Sequence, residues 1–242
     1  MNHELPENLT QKISQVVELL TQSLDTYEQN LVLANSLGVE DMVLADLLAR
    51  HFPSIPQFVL DTGRLPEETL SLLAKMNEHY PQANIEVYYP QASAVEAYVR
   101  DHGINGFYQA QSLRKACCSV RKLEPLKRAL TGRRAWITGL RREQSVTRDA
   151  VAVSEWDAAN GLQKLNPLAD WTLKEVWAYI HHFEVPYNAL HDQHYPSIGC
   201  APCTRAISVG EDVRAGRWWW ENPEARECGL HSASAIPVRQ TS

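Results

Sequence analysis

Apolar positions along the chain follow two rhythms that alternate. Over residues 8–25, Ile13, Val16, Val17, Leu19, Leu20 and Leu24 stand three or four apart, the spacing of one face of an amphipathic helix. A short continuous run follows, Leu31-Val32-Leu33-Ala34, and stops at Asn35-Ser36-Leu37-Gly38. Met42, Val43, Leu44, Leu47 and Leu48 then predict a second helix. Phe58-Val59-Leu60 is the next run and ends at Asp61-Thr62-Gly63-Arg64, ahead of a helix opening at Pro66-Glu67-Glu68, where proline and acids suit a first turn. Ile85-Glu86-Val87-Tyr88-Tyr89 is a third strand. Strand, polar turn and helix in succession predict an α/β fold with a parallel sheet and flanking helices.

Later segments continue the scheme. A helix is expected around 119–130, a strand at Ala135-Trp136-Ile137-Thr138, and a helix from Thr172 to about Phe183. Thr172 is placed to cap it, with Glu175 three residues on. Beyond Pro186 the pattern thins. Residues 205–242 mix charge, glycine, proline and three consecutive tryptophans, so the expected division is an α/β domain over 1–204 and a loosely packed, mobile C-terminal segment over 205–242.

Composition narrows the classes. The 242 residues are 44% hydrophobic and 21% charged, a globular balance. No stretch approaches the roughly 18 apolar residues of a membrane span, and the first residues lack the basic and apolar regions of a secretory signal. The expectation is a cytoplasmic protein with no membrane partner. A formal charge of −6 argues against a nucleic-acid binder. Yet eleven Lys or Arg lie between Arg114 and Arg148 against only Glu124 and Glu143. A basic block on an acidic chain suits a small, highly charged anion better than a polymer; a solvated basic helix is the plainer reading.

Five cysteines carry the sharpest chemistry: Cys117, Cys118, Cys200, Cys203 and Cys228. An odd number with no secretory signal argues against a disulfide framework and for metal ligation with one thiol left over. Four thiolates suit tetrahedral zinc or an iron–sulfur cluster. Neighbouring side chains diverge, so closing both Cys117 and Cys118 onto one ion strains the chelate, whereas a cluster offers each sulfur a different iron; the cluster is the favoured alternative. A redox Cys-x-x-Cys at 200–203 would leave the pair at 117–118 without a purpose. Cys228 lies in a glycine-containing tail without a partner, as a reactive thiol or an incidental one. The loop Asn35–Asp41, with Ser36 and Gly38, has the hydroxyl and glycine of an anion cradle, although any strand-to-helix turn can look so.

Together these residues resemble the thioredoxin-dependent assimilatory adenylyl-sulfate (APS) reductases. The cysteines and Cys228-Gly229-Leu230-His231 are joined by Leu60-Asp61-Thr62-Gly63-Arg64, Arg121-Lys122-x-Glu124-Pro125-Leu126, Thr138-Gly139-Leu140-Arg141-Arg142-Glu143-Gln144-Ser145 and Arg217-Trp218-Trp219-Trp220-Glu221. These motifs span nearly the whole chain. Phosphoadenylyl-sulfate (PAPS) reductases keep the Cys-Gly-Leu-His tail but lack the four other cysteines, which puts this chain on the APS side; its first loop is less serine-rich than the family pattern.

The resemblance implies a Rossmann-like fold of the adenine nucleotide alpha-hydrolase (PP-loop) type and a 4Fe-4S cluster on Cys117, Cys118, Cys200 and Cys203. It also implies Cys228 as the nucleophile that forms S-sulfocysteine, with AMP leaving and sulfite released by thioredoxin or a glutaredoxin-like donor. Implied substrate contacts are Ser36, Gly38, Leu60, Thr62, Gly63, Arg64, Lys122, Arg142, Arg148, Arg214, Arg217 and His231. A homo-oligomer is compatible with the family. The competing readings are a PAPS or dual-substrate reductase, a PP-loop enzyme that activates its target with a nucleotide, and a zinc-stapled module that only binds nucleotide. The second would need a Ser-Gly-Gly-x-Asp-Ser loop, which Asn35–Asp41 does not spell.

Overall fold

A computed structural model describes residues 5–144 and 151–222. Six strands form one sheet: β1 (Leu31–Ala34), β2 (Gln57–Leu60), β3 (Ile85–Tyr88), β4 (Ala135–Ile137), β5 (Ser154–Asp157) and β6 (Leu162–Leu165), in the order β3-β2-β1-β4-β6-β5. All neighbours are parallel except the β5–β6 pair, which is antiparallel. The helices are α1 (Glu7–Tyr27), α2 (Val39–His51), α3 (Glu67–His79), α4 (Ala92–His102), α5 (Gln111–Cys118), α6 (Glu124–Ala129) and α7 (Leu173–Phe183).

The central strands are apolar at nearly every position because both faces are covered. On one face Leu31, Leu33, Ala135 and Ile137 pack against Leu20 of α1, Met42 and Leu44 of α2, Met76 of α3 and Ile180 of α7. On the other face the alternate residues Val32, Phe58 and Trp136 meet Leu126 and Ala129 of α6. Cutting Leu33, fully buried between these layers, to Ala would cost roughly 2–5 kcal/mol. The buried Asp46 carboxylate ties three helices together, taking hydrogen bonds from Tyr80 (3.0 Å), Tyr179 (2.7 Å) and Arg50 (2.6 Å). The predicted cap of α7 is present as a reciprocal pair: the Glu175 amide donates to Thr172 Oγ1 at 3.2 Å, and the Thr172 amide to Glu175 Oε2 at 2.7 Å.

The expected α/β fold with a parallel sheet and flanking helices is present, and the structure adds three details. The sheet is not wholly parallel: 154–157 and 162–165 form a hairpin closed by Asn160 and Gly161, the latter at φ +72° as such a turn requires. The helix expected over 119–130 begins at Gln111 as α5 and passes through one π-helical turn, Ser119–Leu123, into α6. Finally, 204/205 is no break in packing. Thr204 pairs with Arg217 as an antiparallel bridge, Arg205 donates to the Gly216 carbonyl at 3.0 Å, and Trp218 is 1% exposed beside Cys203. Residues 205–222 therefore belong to the packed unit. No described helix is long and apolar enough to cross a membrane.

Candidate active site

Strand order reverses between β1 and β4, where successive connections leave toward opposite edges of the sheet. Loops diverge at such a point and leave a crevice beyond the carboxyl ends of the strands. A cavity of about 540 Å³ lies there, a volume suited to a nucleotide-sized ligand. Its walls come from Asn35, Ser36 and Gly38 after β1, Leu60 at the end of β2 and Thr62 after it, Thr138 and Gly139 after β4, and the segment Pro196–Gly199. Lys122, Arg214 and Arg217 supply cationic groups to the lining, and Phe58, Leu126 and Trp136 supply an apolar wall.

The first loop is stitched to the β4 loop by Asp41. Its carboxylate accepts from the Ser36 amide at 2.8 Å, from the Ser36 hydroxyl, and from the Gly139 amide at 2.9 Å. A methyl group on Gly139 would stand 2.4 Å from that carboxylate, so the approach requires glycine. Burial pushes the Asp41 carboxyl up to about 6, against the Ser36 and Gly139 hydrogen bonds that hold it down and with Glu40 adding to the rise. Neither Asp41 nor the neighbouring ion pair between Arg141 and Glu40 (2.8 Å) was singled out from the sequence. The acidic pair Glu40-Asp41, two residues after Gly38, was the available signal.

Beside the cavity, next to Thr62, Cys117, Cys200 and Cys203 share one apolar cluster, with Cys118 adjacent to Cys117 in the chain. Cys117 and Cys118 end α5, and Cys200 precedes and Cys203 ends the short 3-10 turn Ala201–Cys203. That turn is docked on the β2–α3 loop: the Ala201 amide donates to the Arg64 carbonyl at 2.8 Å, and Thr62 Oγ1 is 3.2 Å from Cys200 Sγ. Gly63 sits in the left-handed region at φ +69°, closely faced by Arg121, whose guanidinium donates to the Thr62 carbonyl at 2.6 Å. Phe107, Trp218, Trp220, Cys117, Cys200 and Cys203 share one apolar cluster.

Nearby basic groups oppose the effect of burial at two of these thiols. Burial pushes the Cys203 thiol up to about 12, with Cys200 and Cys117 adding to the rise and Lys122 and Arg217 opposing it. Burial also raises Cys117, against Arg121 and Arg64. Arg114 bonds the Cys118 thiol. Four soft donors with basic groups set around them fit an anionic iron–sulfur centre by their chemistry. Among the described residues no group of three or more His, Cys, Asp or Glu is arranged to hold a metal ion as it stands.

The remaining expected contacts divide. Ser36, Gly38, Leu60, Thr62, Lys122, Arg214 and Arg217 line the cavity together. Gly63 and Arg64 stand at the cysteine end outside that lining, with Arg64 donating to the Ile104 carbonyl at 2.8 Å and to Asn105 at 3.1 Å. Arg142 pairs with Asp170 and donates to the Val151 carbonyl at 2.7 Å, and it is not among the residues that line the cavity, whereas Arg141 is. Arg148, Cys228 and His231 lie outside the described residues.

Comparison with known proteins adds a lineage. Residues 30–206 match the family described as phosphoadenosine phosphosulfate reductase domain. An adenosine 5'-phosphosulfate reductase of Allochromatium vinosum is 58% identical over 98% of this chain and 91% of its own. One of Burkholderia cepacia is 49% identical over 97% and 93%. Among solved structures, a phosphoadenylyl-sulfate reductase of Candida auris in a phosphate complex superposes with TM-score 0.68 at 26% identity, covering 86% of this chain and all of that one. A Candida glabrata FMN adenylyltransferase (TM-score 0.59, 13% identity, 96% of this chain and 79% of that one) shares the fold.

Proposed function

The chain belongs to the phosphoadenosine phosphosulfate reductase family, and from that premise we propose that it reduces adenosine 5'-phosphosulfate (APS) to sulfite and AMP with thioredoxin as electron donor. One observation carries the reading: a nucleotide-sized cavity at the strand ends whose cationic residues include Lys122 and Arg217, both close enough to Cys203 to favour its thiolate. A compact polyanion with an adenine at one end and a sulfonate at the other fits that polarity. The names of relatives at 49–58% identity favour APS over its 3'-phosphorylated counterpart.

The chain's own residues then divide the work. Phe58, Leu126 and Trp136 take the apolar base, while Lys122, Arg214 and Arg217 hold the phosphosulfate by charge-assisted hydrogen bonds. The Cys228 thiolate attacks the sulfate sulfur, the bond from sulfur to the bridging oxygen breaks, and AMP leaves with that electron pair. Cys228 is left as S-sulfocysteine. A thioredoxin thiolate attacks Cys228 Sγ and displaces sulfite, and the second thioredoxin thiol resolves the mixed disulfide. The two electrons come from that dithiol, which ends as a disulfide, and Cys228 returns to its starting state. Cys117, Cys118, Cys200 and Cys203 would hold a 4Fe-4S cluster, which supplies a fixed charge that tunes the field at the sulfonate.

Mass spectrometry of the chain incubated with APS and no thioredoxin tests this reading. The expected result is an SO3 adduct on the Cys228 peptide that reduced thioredoxin removes. An adduct on Cys200 or Cys203, or none, contradicts it.

A further inference from the structure

One carboxylate of the cavity wall is anchored through a single oxygen. Glu40, in the first turn of α2, lines the cavity together with Gly38 and Gly139. Its Oε1 accepts from Arg141 Nε at 2.9 Å and from Arg141 Nη2 at 2.8 Å. Among the described residues its Oε2 accepts no hydrogen bond, and the side chain remains 14% exposed. A Cβ on Gly38 would stand 3.9 Å from that Oε2 and one on Gly139 2.8 Å from Glu40 Cβ, so the carboxylate sits where the β1 and β4 loops meet.

Arg141 is committed to holding this group. It is 4% exposed, and its Nη1 donates to Glu143 Oε2 at 2.9 Å and to the Trp171 carbonyl at 3.2 Å. All three guanidinium nitrogens are bonded, so Arg141 lines the cavity without being a cation for the phosphosulfate. One guanidinium faces two carboxylates, which leaves this wall net negative. Burial is the main reason that the Asp41 carboxyl is raised and the His191 ring lowered; Glu40 adds to the first and opposes the second. A carboxylate lining a cavity that takes a polyanion is unfavourable unless the ligand offers it a hydrogen-bond donor. An adenine nucleotide has donors of two kinds, the 6-amino group and the ribose hydroxyls. The apolar wall of Phe58, Leu126 and Trp136 belongs to the α6 face of the sheet, whereas α2 packs on the opposite face. With the base on the α6 side, the part of the nucleotide that reaches Glu40 is the ribose.

We propose that Glu40 Oε2 accepts a hydrogen bond from a ribose hydroxyl, that Arg141 is the positioning residue which orients it, and that this carboxylate selects against a 3'-phosphate. The proposal rests on the APS reductase reading above. A carboxylate near the strand ends holds a ribose hydroxyl in the same way in dinucleotide-binding α/β folds. A phosphate in place of the hydroxyl brings no donor and adds like charge beside an acidic wall, so rejection is built from repulsion as well as from a lost bond.

Equilibrium binding to the anaerobically purified full chain tests this without turnover. The probes are AMP, its 2'-deoxy and 3'-deoxy analogues, inosine 5'-monophosphate and adenosine 3',5'-bisphosphate. In wild type one deoxy analogue should bind about tenfold or more weaker than AMP, the size expected of a hydrogen bond to a charged acceptor. In Glu40→Ala that ratio should fall to within about twofold, with the inosine-to-AMP ratio as in wild type. Glu40→Gln keeps a carbonyl oxygen for Arg141 and puts an amide N–H in place of Oε2, so the preference for AMP over the bisphosphate should shrink by about tenfold or more. Arg141→Lys should lower the deoxy ratio in the same direction as Glu40→Ala. Each readout compares two ligands on one protein, which a general loss of stability does not move; if the Ala variant does not fold, Gln still supplies the bisphosphate ratio. Deoxy analogues that wild type binds as tightly as AMP, a deoxy penalty unchanged in Glu40→Ala, or a bisphosphate ratio unchanged in Glu40→Gln overturns the proposal. A change confined to the inosine ratio assigns Glu40 to the base amine and overturns it too. A wild-type chain that binds none of these nucleotides overturns the APS reading instead.

Discussion

Adding a single methyl group at Gly199 probes the anion site without replacing any charged residue. A Cβ there would stand 2.3 Å from Arg217 Nη2 and 2.7 Å from its Cζ, against an ordinary contact of about 3.5–4.0 Å, so the guanidinium must retreat by about 1 Å or more. It would leave the Ser197 hydroxyl (3.3 Å) and the Ile198 carbonyl (3.1 Å) that hold it at the cavity wall. Gly199 is not in the left-handed region, so alanine is compatible with the backbone and the fold should survive. What is lost is one charge-assisted contact to the phosphosulfate, about 1.5–3 kcal/mol. That corresponds to roughly a ten- to hundred-fold drop in kcat/KM for APS. Steady-state sulfite release should place Gly199→Ala close to Arg217→Ala, and the double variant should be no worse than either. Activity within twofold of wild type, or a double variant whose loss is the product of the two singles, would refute the assignment of Arg217.

Other outcomes follow from the same geometry. Asp41 titrates near 6 when folded against 3.8 when free, so its charge costs stability that is absent below about pH 4, grows as pH rises through 6 and is complete above it. Urea denaturation should therefore show Asp41→Asn gaining on wild type by about 2–3 kcal/mol between pH 4 and pH 7, and a pH-independent difference would contradict the burial argument. Replacing Cys118 with Ser should remove the visible chromophore and the bound iron and lower thermal stability, since metal binding is also folding energy; stoichiometric zinc in the wild type would sink the cluster. Cys228→Ser should bind AMP as wild type does yet form no sulfite, because a hydroxyl is a far weaker nucleophile than a thiolate. Residual turnover above background would move the nucleophile elsewhere.

Much of this was legible in the sequence because parallel strands buried on both faces must read as continuous apolar runs, as 31–34 and 58–60 do. The Thr172–Glu175 cap was legible because it is local chemistry. The β5–β6 hairpin was not: Lys164 makes β6 look polar, yet it is buried by pairing with Glu155 at 2.9 Å and lying over Trp136. The start of α5 was hidden because Gln111, Ser112 and Lys115 are polar and exposed, while its buried positions are an arginine and two partly buried cysteines. Residues 217–221 read as loose for a similar reason, since an Arg-Trp-Trp-Trp-Glu run gives no periodicity. Only the structure shows Trp218 held between two arginines. Arg141 and Arg142 are indistinguishable in sequence, but adjacent side chains diverge and the fold turns one to Glu40 and the other to Asp170.

The central claim is that the cavity and tail together reduce APS. Its most direct test is sulfite release by the anaerobically purified chain, with reduced thioredoxin and with APS and PAPS in competition. The account predicts sulfite and AMP in equal amounts, one thioredoxin disulfide for each, and a larger kcat/KM for APS. Equal or preferred use of PAPS, or AMP formed without sulfite, would contradict it.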